Sequence, residues 1–363
     1  MIEVLVFVVC FGIVFFLLKS WFNYRALPEI TSALSSTTHD VTVIIPARNE
    51  AGNIARAVRS FPASDVIVVD DHSTDATKQV ALANGGRIVD APTVLEGALG
   101  KPSACLAGAR EADSEWLLFI DADTWYEPAF LNSLVQYAET CNLDFLSVFL
   151  DSTHNTVMEK LLLPYAFALY FAGVSARAVN NRNSLEALAN GQCMLFRRTA
   201  YERIGGHGVV LNSVIEDVML ARIGKLKGLR MRSVRAESLG HVRMYDSLRS
   251  IWQGFQKNSF RFLLVNPWTG VQVVVASILL TSWLPVLLVA WSAGLRGRMA
   301  IEALVLAVTP SVCLLPWYLR GKNPSRWIAA SSPVAIYIFQ LIALDGMFSA
   351  LTGRKANWKG RRV

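Results

Sequence analysis

Residues 117–123 read Leu117-Leu118-Phe119-Ile120-Asp121-Ala122-Asp123: an apolar run that ends in two carboxylates two positions apart. A short, unbroken apolar stretch bounded by polar residues predicts a strand covered on both faces. In an extended chain, residues i and i+2 point the same way, so Asp121 and Asp123 present their carboxylates to one side at the strand's end. The strand is placed at Trp116–Ile120, and the two carboxylates beyond it either hold a metal or form a solvated acidic turn before Pro128. Working outward, Val41–Ile45, Val66–Val69 and Arg87–Val89 read the same way, and helical stretches begin near Gly52, Ser73 and Lys101. This alternation predicts an α/β fold: a mostly parallel sheet with helices on both faces. Sheets of that kind hold ligands beyond the carboxyl ends of their strands.

The polar residues cluster at those strand ends. Ile44-Ile45-Pro46-Ala47-Arg48-Asn49-Glu50 follows the first strand, and Val68-Val69-Asp70-Asp71-His72-Ser73-Thr74-Asp75 follows the second. Either can hold a nucleotide, and either can simply cap the next helix. Asp121 and Asp123 offer hard oxygen ligands, which suit Mg²⁺ or Mn²⁺ holding a diphosphate. Lys101, in Gly100-Lys101-Pro102 at a helix start, is placed either beside a phosphate or in solvent. Gly191, in Asn190-Gly191-Gln192 ahead of Arg197-Arg198, permits close backbone approach to a ligand. Glu216-Asp217 opens a helix, where a carboxylate serves as a general base or as a partner of the helix dipole. His241 is read as a further metal ligand or as structural, and Arg243 and Lys257 as phosphate contacts. Trp252 either stacks on a sugar or anchors at a membrane interface.

Composition adds a membrane. The 363 residues are 53% hydrophobic and only 17% charged, too apolar for an ordinary soluble protein. The net charge of +7 is assigned to cytoplasmic loops rather than to nucleic-acid binding. Residues 1–20 are expected to form an N-terminal transmembrane helix, with Lys19 and Arg25 on the cytoplasmic side. Runs at Val271–Trp291, Ala300–Leu319 and Trp327–Leu351 make 268–351 a set of C-terminal membrane segments, followed by a basic cytoplasmic tail at 352–363. Three full crossings there conflict with a cytoplasmic tail, so one run is expected not to cross. Asp345 is costly inside a bilayer and needs protein neighbours. Leu161–Val179 is either an interfacial helix lining an acceptor entrance or a buried core helix. The five cysteines are scattered and outline neither a disulfide framework nor a zinc site.

The ordered set V-I-I-P-A-R-N-E, V-D-D-x-S-x-D, D-A-D, G-Q-x-x-x-x-R-R and E-D resembles the family 2 glycosyltransferases with a GT-A fold, over residues 41–258. The resemblance implies that Pro46, Arg48, Glu50 and Asp71 bind a nucleotide-sugar donor with Asp121 near it; the readings above place Lys101, Gly191 and Arg243 beside that donor. The resemblance also implies that Asp123 holds Mg or Mn, to which His241 is added by the reading above, and that Asp217, or less readily Glu216, is the catalytic base of a single inverting displacement. The stretches Gly100-Lys101-Pro102-Ser103-Ala104-Cys105, Arg243-Met244-Tyr245 and Trp358-Lys359-Gly360-Arg361 are similar to those of membrane-bound carotenoid-acid (diaponeurosporenoate-type) enzymes, with hopanoid-associated ones more distant. That implies a UDP-hexose donor, a lipid or isoprenoid-type acceptor and a multi-pass plasma-membrane protein with a cytoplasmic catalytic domain. The Q-x-x-R-W of processive members is absent, since Gln253 is followed by Gln256-Lys257; transfer of one sugar is therefore expected. A nucleotidyltransferase would place a glycine-rich loop where Pro46-Ala47-Arg48-Asn49-Glu50 stands. A non-catalytic sugar-binding protein would not need Asp121, Asp123 and Asp217.

Overall fold

The structure is a computed structural model that describes residues 2–32, 39–93, 97–292, 297–320, 326–352, 354, 357–358 and 361–362. The Ser/Thr cluster within residues 33–38, part of a stretch at 26–40 expected as a linker, and Lys355 and Lys359 of the basic tail lie outside the described residues. The chain divides into two compact units. One comprises residues 27–152, 176–244 and 357–363, the other residues 1–26, 153–175 and 245–356. The segments 153–175 and 245–258, expected within a single 41–258 domain, therefore group with the apolar helices.

The first unit is the sheet. Its strands are β1 (Val41–Ala47), β2 (Asp65–Asp70), β3 (Arg87–Asp90), β4 (Trp116–Ile120), β5 (Thr124–Tyr126), β6 (Phe145–Phe149), β7 (Asp151–Ser152), β8 (Cys193–Arg197), β9 (Met231–Arg235) and β10 (Gly240–Val242). Seven of them are ordered β3-β2-β1-β4-β8-β6-β9. The first four run parallel, β8 is antiparallel to both β4 and β6, and β6 is parallel to β9. The N-terminal half thus follows the expected parallel pattern, and one reversed strand makes the sheet mixed.

Helices cover both faces, so the strands read as continuous apolar runs rather than alternating ones. On one face Val43, Ile45, Val68, Leu118 and Leu195 pack with Ile54, Phe130 and Leu134. On the other, helix Gly100–Arg110 approaches closely. A Cβ at Gly108 would lie 2.5 Å from Ile44 Cγ2 and 2.8 Å from Val69 Cγ2, so only glycine admits the helix at this depth. Edge strand β9 is sealed in two ways. Segment 28–30 bonds to both amide and carbonyl of Arg235 (2.8 and 2.7 Å), and the Asn180 side-chain amide does the same for Ser233 (3.0 and 2.8 Å). An edge left open would expose a row of unpaired backbone groups.

The second unit is helical. Among the described residues three helices are long and apolar enough to cross a membrane: Val6–Arg25, Pro267–Val286 and Ser332–Thr352. The run expected at Ala300–Leu319 divides into helices Arg298–Cys313 and Leu315–Tyr318, because Pro316 starts a new helix and supplies no amide to continue the old one. Its apolar part shrinks to Leu304–Cys313. Helix Val157–Gly173 starts in a Thr156/Glu159 capping box and is buried on most of its surface, so the buried alternative for 161–179 holds over that helix. The last carbonyls of a helix have no partner within it. Here Asn23, Lys19 and Gln272 donate to the carbonyls of Phe171 (3.1 Å), Ala172 (2.9 Å) and Gly173 (3.4 Å). Asp345 is likewise provided for: its Oδ2 accepts from Trp252 Nε1 and Gln256 Nε2, both at 2.8 Å. This assigns Trp252 a hydrogen-bonding partner within its own unit.

Candidate active site

Three groups of expected residues gather at the carboxyl ends of β1, β2 and β4. The first is a pair of zipped loops. Asn49 N donates to Ser73 Oγ (3.0 Å), Glu50 N to Thr77 Oγ1 (2.8 Å), Ala51 N to Asp75 Oδ2 (3.1 Å) and Thr74 N to Asn49 Oδ1 (2.8 Å). Asn49 and His72 both take the left-handed conformation (φ 53° and 57°), which asparagine tolerates better than most residues. Arg48 donates to the Asp71 carbonyl at 2.7 Å. Glu50 and Asp71 are buried, with Glu50 accepting from Asn53 Nδ2 at 2.9 Å. Pro46 is paired in register with Val69. The structure thus brings Pro46, Arg48, Glu50 and Asp71 into one rigid ledge, with Arg48 spent on joining the two loops.

The second group surrounds Lys101. Expected beside a phosphate or in solvent, its ammonium instead sits 2.7 Å from Asp121 Oδ1 and 3.2 Å from Glu216 Oε1, and donates to the Gly191 carbonyl at 3.3 Å. Burial works against the charge, yet the carboxylates of Asp121 and Glu216 outweigh it and hold the lysine pKa well up. Asp217 accepts from Gly191 N and Val218 N, both at 2.8 Å. Burial, then the Glu216 charge, pushes its carboxyl up to about 6. That range suits a base working near neutral pH. A Cβ on Gly191 would stand 3.1 Å from Lys101 Nζ and 3.3 Å from Asp217 Oδ2, so the glycine is what lets this turn lie against both side chains.

The third group lies on the small sheet β5-β10-β7. His241 is opposite Trp125, and Arg243 N donates to the Asp123 carbonyl at 3.3 Å. Directly opposed residues share a face, so Trp125 and His241 lie on one side, their ring centres 5.5 Å apart, with Asp123 and Arg243 just beyond the ends of β5 and β10. Buried His241 has Nδ1 3.4 Å from Asp151 Oδ2 and Nε2 3.4 Å from Glu127 Oε1. The Arg56 guanidinium lies 3.4 Å from the centre of the Trp125 ring. Burial lowers the Arg56 pKa, while Asp123 raises it and Arg243 lowers it; the three charges share one neighbourhood.

Sequence reasoning passed over Arg56, Trp125, Glu127 and Asp151. Trp125 and Glu127 carried a usable signal, since they follow Asp123 closely, at i+2 and i+4, across the short strand Thr124–Tyr126. Asp151 carried none, because only the parallel pairing of β7 with β10 brings it to His241.

Among the described residues no three His, Cys, Asp or Glu side chains converge on a metal position, and Asp121 is committed to Lys101. Mg²⁺-like ions, however, take one or two carboxylates and complete their shell with substrate phosphates and water. Asp123 supplies one such carboxylate, and His241, with Asp151 3.4 Å from Nδ1 and Glu127 3.4 Å from Nε2, would join it as a second ligand by turning Nε2 from Glu127 to the ion.

The profile of the family described as "Glycosyl transferase family 2" matches residues 42–205. The 4,4'-diaponeurosporenoate glycosyltransferase of Staphylococcus haemolyticus (strain JCSC1435) is 25% identical over 237 residues, covering 61% of this chain and 61% of that protein. Its counterpart in Staphylococcus aureus (strain N315) is 28% identical over 237 residues, 63% of each. The chain thus spans about three fifths of the length of these curated relatives. The mannosyltransferase PcManGT from Pyrobaculum calidifontis, solved with GDP-Man and Mn²⁺, superposes with a TM-score of 0.55 at 18% identity, over 96% of this chain and 99% of that one; this likeness shows the fold. Residues 42–205 are a glycosyl transferase family 2 domain, and the sheet that carries it has the GT-A fold.

Proposed function

We propose that this chain transfers a single hexose, with inversion, from a nucleoside diphosphate sugar of the UDP-hexose type to a lipid or isoprenoid-type acceptor. The observation that carries the reading is the convergence of Asp217, Gly191, Lys101 and Asp121 at the strand ends that also deliver Asp123. The ledge of Pro46, Arg48, Glu50 and Asp71 receives the nucleotide. Asp217 takes the acceptor proton as the acceptor oxygen bonds to the anomeric carbon and the bond from that carbon to the β-phosphate oxygen breaks. An acid acceptor arrives ionised and has no proton to give, so for it Asp217 would act only in its protonated form, donating to the acceptor carboxylate. Held by Asp123 and His241, Mg²⁺ or Mn²⁺ would neutralise the charge that develops on the leaving diphosphate. Arg243 and Arg56 add positive charge on the same side. Relatives named for 4,4'-diaponeurosporenoate support an isoprenoid acid as acceptor, and the Mn²⁺ and GDP-Man of the similar structure support the metal and the donor class.

The test is a donor screen on the full chain in detergent with a polar lipid extract and Mn²⁺ or Mg²⁺. Release of nucleoside diphosphate from one donor, stopped by a chelator, is the expected result. A folded protein that neither releases nor binds any of the donors would sink the proposal. Gly191→Ala presses a methyl group against Lys101 and Asp217. A misplacement of about 1 Å can cost roughly 10²-fold, so a shift of a few tenths of an ångström should lower turnover by about tenfold at little cost in donor affinity. Donor affinity that falls in step with turnover would instead place Gly191 in the donor pocket.

The membrane arrangement is proposed on the same footing. One crossing ahead of the sheet and two after it put the sheet unit and residue 354 on the same side. Lys19, Arg25 and the basic tail make that side cytoplasmic. A cysteine introduced at Arg354, in a chain whose own cysteines are replaced by alanine, should resist an impermeant thiol reagent in intact cells and react after lysis. Labelling from outside would require a further crossing by Leu304–Cys313.

A further inference from the structure

We infer that Lys101 is a positioning residue that decides which of two adjacent carboxylates takes the acceptor proton, holding Glu216 as an ion-pair partner and leaving Asp217 as the base. This rests on the reading of Asp217 given above. Glu216 and Asp217 are neighbours in sequence, both at the start of helix Glu216–Leu226, yet they meet opposite surroundings. Glu216 is buried and lies 3.2 Å from the Lys101 ammonium; an ionised carboxylate at such a site requires a partner of this kind. Asp217 takes its two hydrogen bonds from backbone amides instead. Each of its oxygens accepts once, and a carboxylate oxygen retains a second lone pair for a proton.

The geometry also accounts for the lysine. An ammonium has three N–H donors, and three acceptors surround this one: Asp121 Oδ1, Glu216 Oε1 and the Gly191 carbonyl. Binding a phosphate would mean giving up one of the three. Through Gly191 the lysine also touches the turn that donates to Asp217, so one side chain fixes the position of the base and the charge of its neighbour.

The other titratable groups facing this pair are neutral near pH 7. Cys105, one turn along from Lys101, is pushed up by burial. His207, from the turn Gly206–Val210, is pushed down to about 3 by burial and by Lys101. The charges that act on Asp217 are therefore Glu216, which raises its pKa, and Lys101, which lowers it, with Asp121 bound to the lysine. Because Asp217 must be ionised to accept a proton, transfer should fall as pH drops through about 6.

Two substitutions move Asp217 in opposite senses. Lys101→Met removes the cation and should raise its titration midpoint. Glu216→Gln removes the neighbouring anion and should lower it, and Lys101→Arg should restore the original value. The measurement is an infrared pH titration of the full chain in detergent, labelled with ¹³C-aspartate, which requires no substrate. An aspartate band titrating near pH 6, absent from Asp217→Asn, should move up by at least half a pH unit in Lys101→Met and down by a similar amount in Glu216→Gln. A general loosening of structure would not give shifts of opposite sign. Midpoints unmoved in both variants, or both moved the same way, would overturn the inference, as would a near-6 band that survives in Asp217→Asn. The base assignment fails separately, through full turnover by Asp217→Asn.

Discussion

Asp217→Asn should bind donor and metal nearly as the unaltered chain does and lose transfer by about 10²–10⁴-fold, the range over which a positioned general base accelerates a reaction. The substitution keeps the shape of the side chain. One of its two terminal atoms still accepts a backbone hydrogen bond, and the other becomes an N–H facing an N–H of Gly191 or Val218. That mismatch costs about 1–3 kcal/mol locally, which the fold of the sheet unit should absorb. No acceptor for the substrate proton remains at that position. The measurement is single-turnover release of nucleoside diphosphate beside calorimetric donor binding. Full transfer by the variant would move the base elsewhere; loss of both binding and transfer would make Asp217 part of the donor pocket. An acceptor that presents a carboxylate rather than a hydroxyl has no proton to give and is repelled by an ionised Asp217, so with such an acceptor the same variant should keep most of its transfer.

Asp123→Ala should separate the metal from the donor. Removing an outer-shell partner of a metal site already weakens it by about 10–100-fold, so loss of the ligand itself should reach at least the upper end. Donor affinity measured with Mn²⁺ should drop to the value measured in chelator. The residual binding should match that of the unaltered chain without metal, because hydrogen bonds between its own two loops hold the ledge of Arg48, Glu50 and Asp71. Donor binding that remains metal-dependent in this variant would remove Asp123 as the ligand. The contrast with Asp121 is informative. Its carboxylate is tied to Lys101 at 2.7 Å, so Asp121→Ala should disturb the base cluster first and leave more of the metal dependence in place.

Much of this was legible along the chain, for a local reason. A strand covered on both faces must be apolar throughout, and the polar residues that follow it must be those that close a turn or meet a ligand. Trp116–Ile120 followed by Asp121 and Asp123 satisfies both conditions within eight residues, as do Val41–Ala47 and Asp65–Asp70 with their loops. Strand positions, the α/β class and the ledge residues therefore follow from patterns that span a few positions. The N-terminal helix long and apolar enough to cross a membrane is equally local, being a matter of length and composition.

The structure alone decided what depends on register and on distant contacts. β8 enters the sheet reversed, which no local pattern marks, and its pairing with β4 brings Asn190-Gly191-Gln192 against Asp121. Lys101, placed by its position at a helix start either beside a phosphate or in solvent, gains its ion-pair partners from Asp121 and Glu216, in two other parts of the chain. His241 acquired Asp151 only through a two-residue parallel strand, and Val157–Gly173 joined the apolar helices because it is apolar on most of its circumference. Local sequence sets which residues end a strand and carry charge. Tertiary folding sets which of those charges meet, because ion-pair and hydrogen-bond energies act over a few ångströms regardless of separation along the chain.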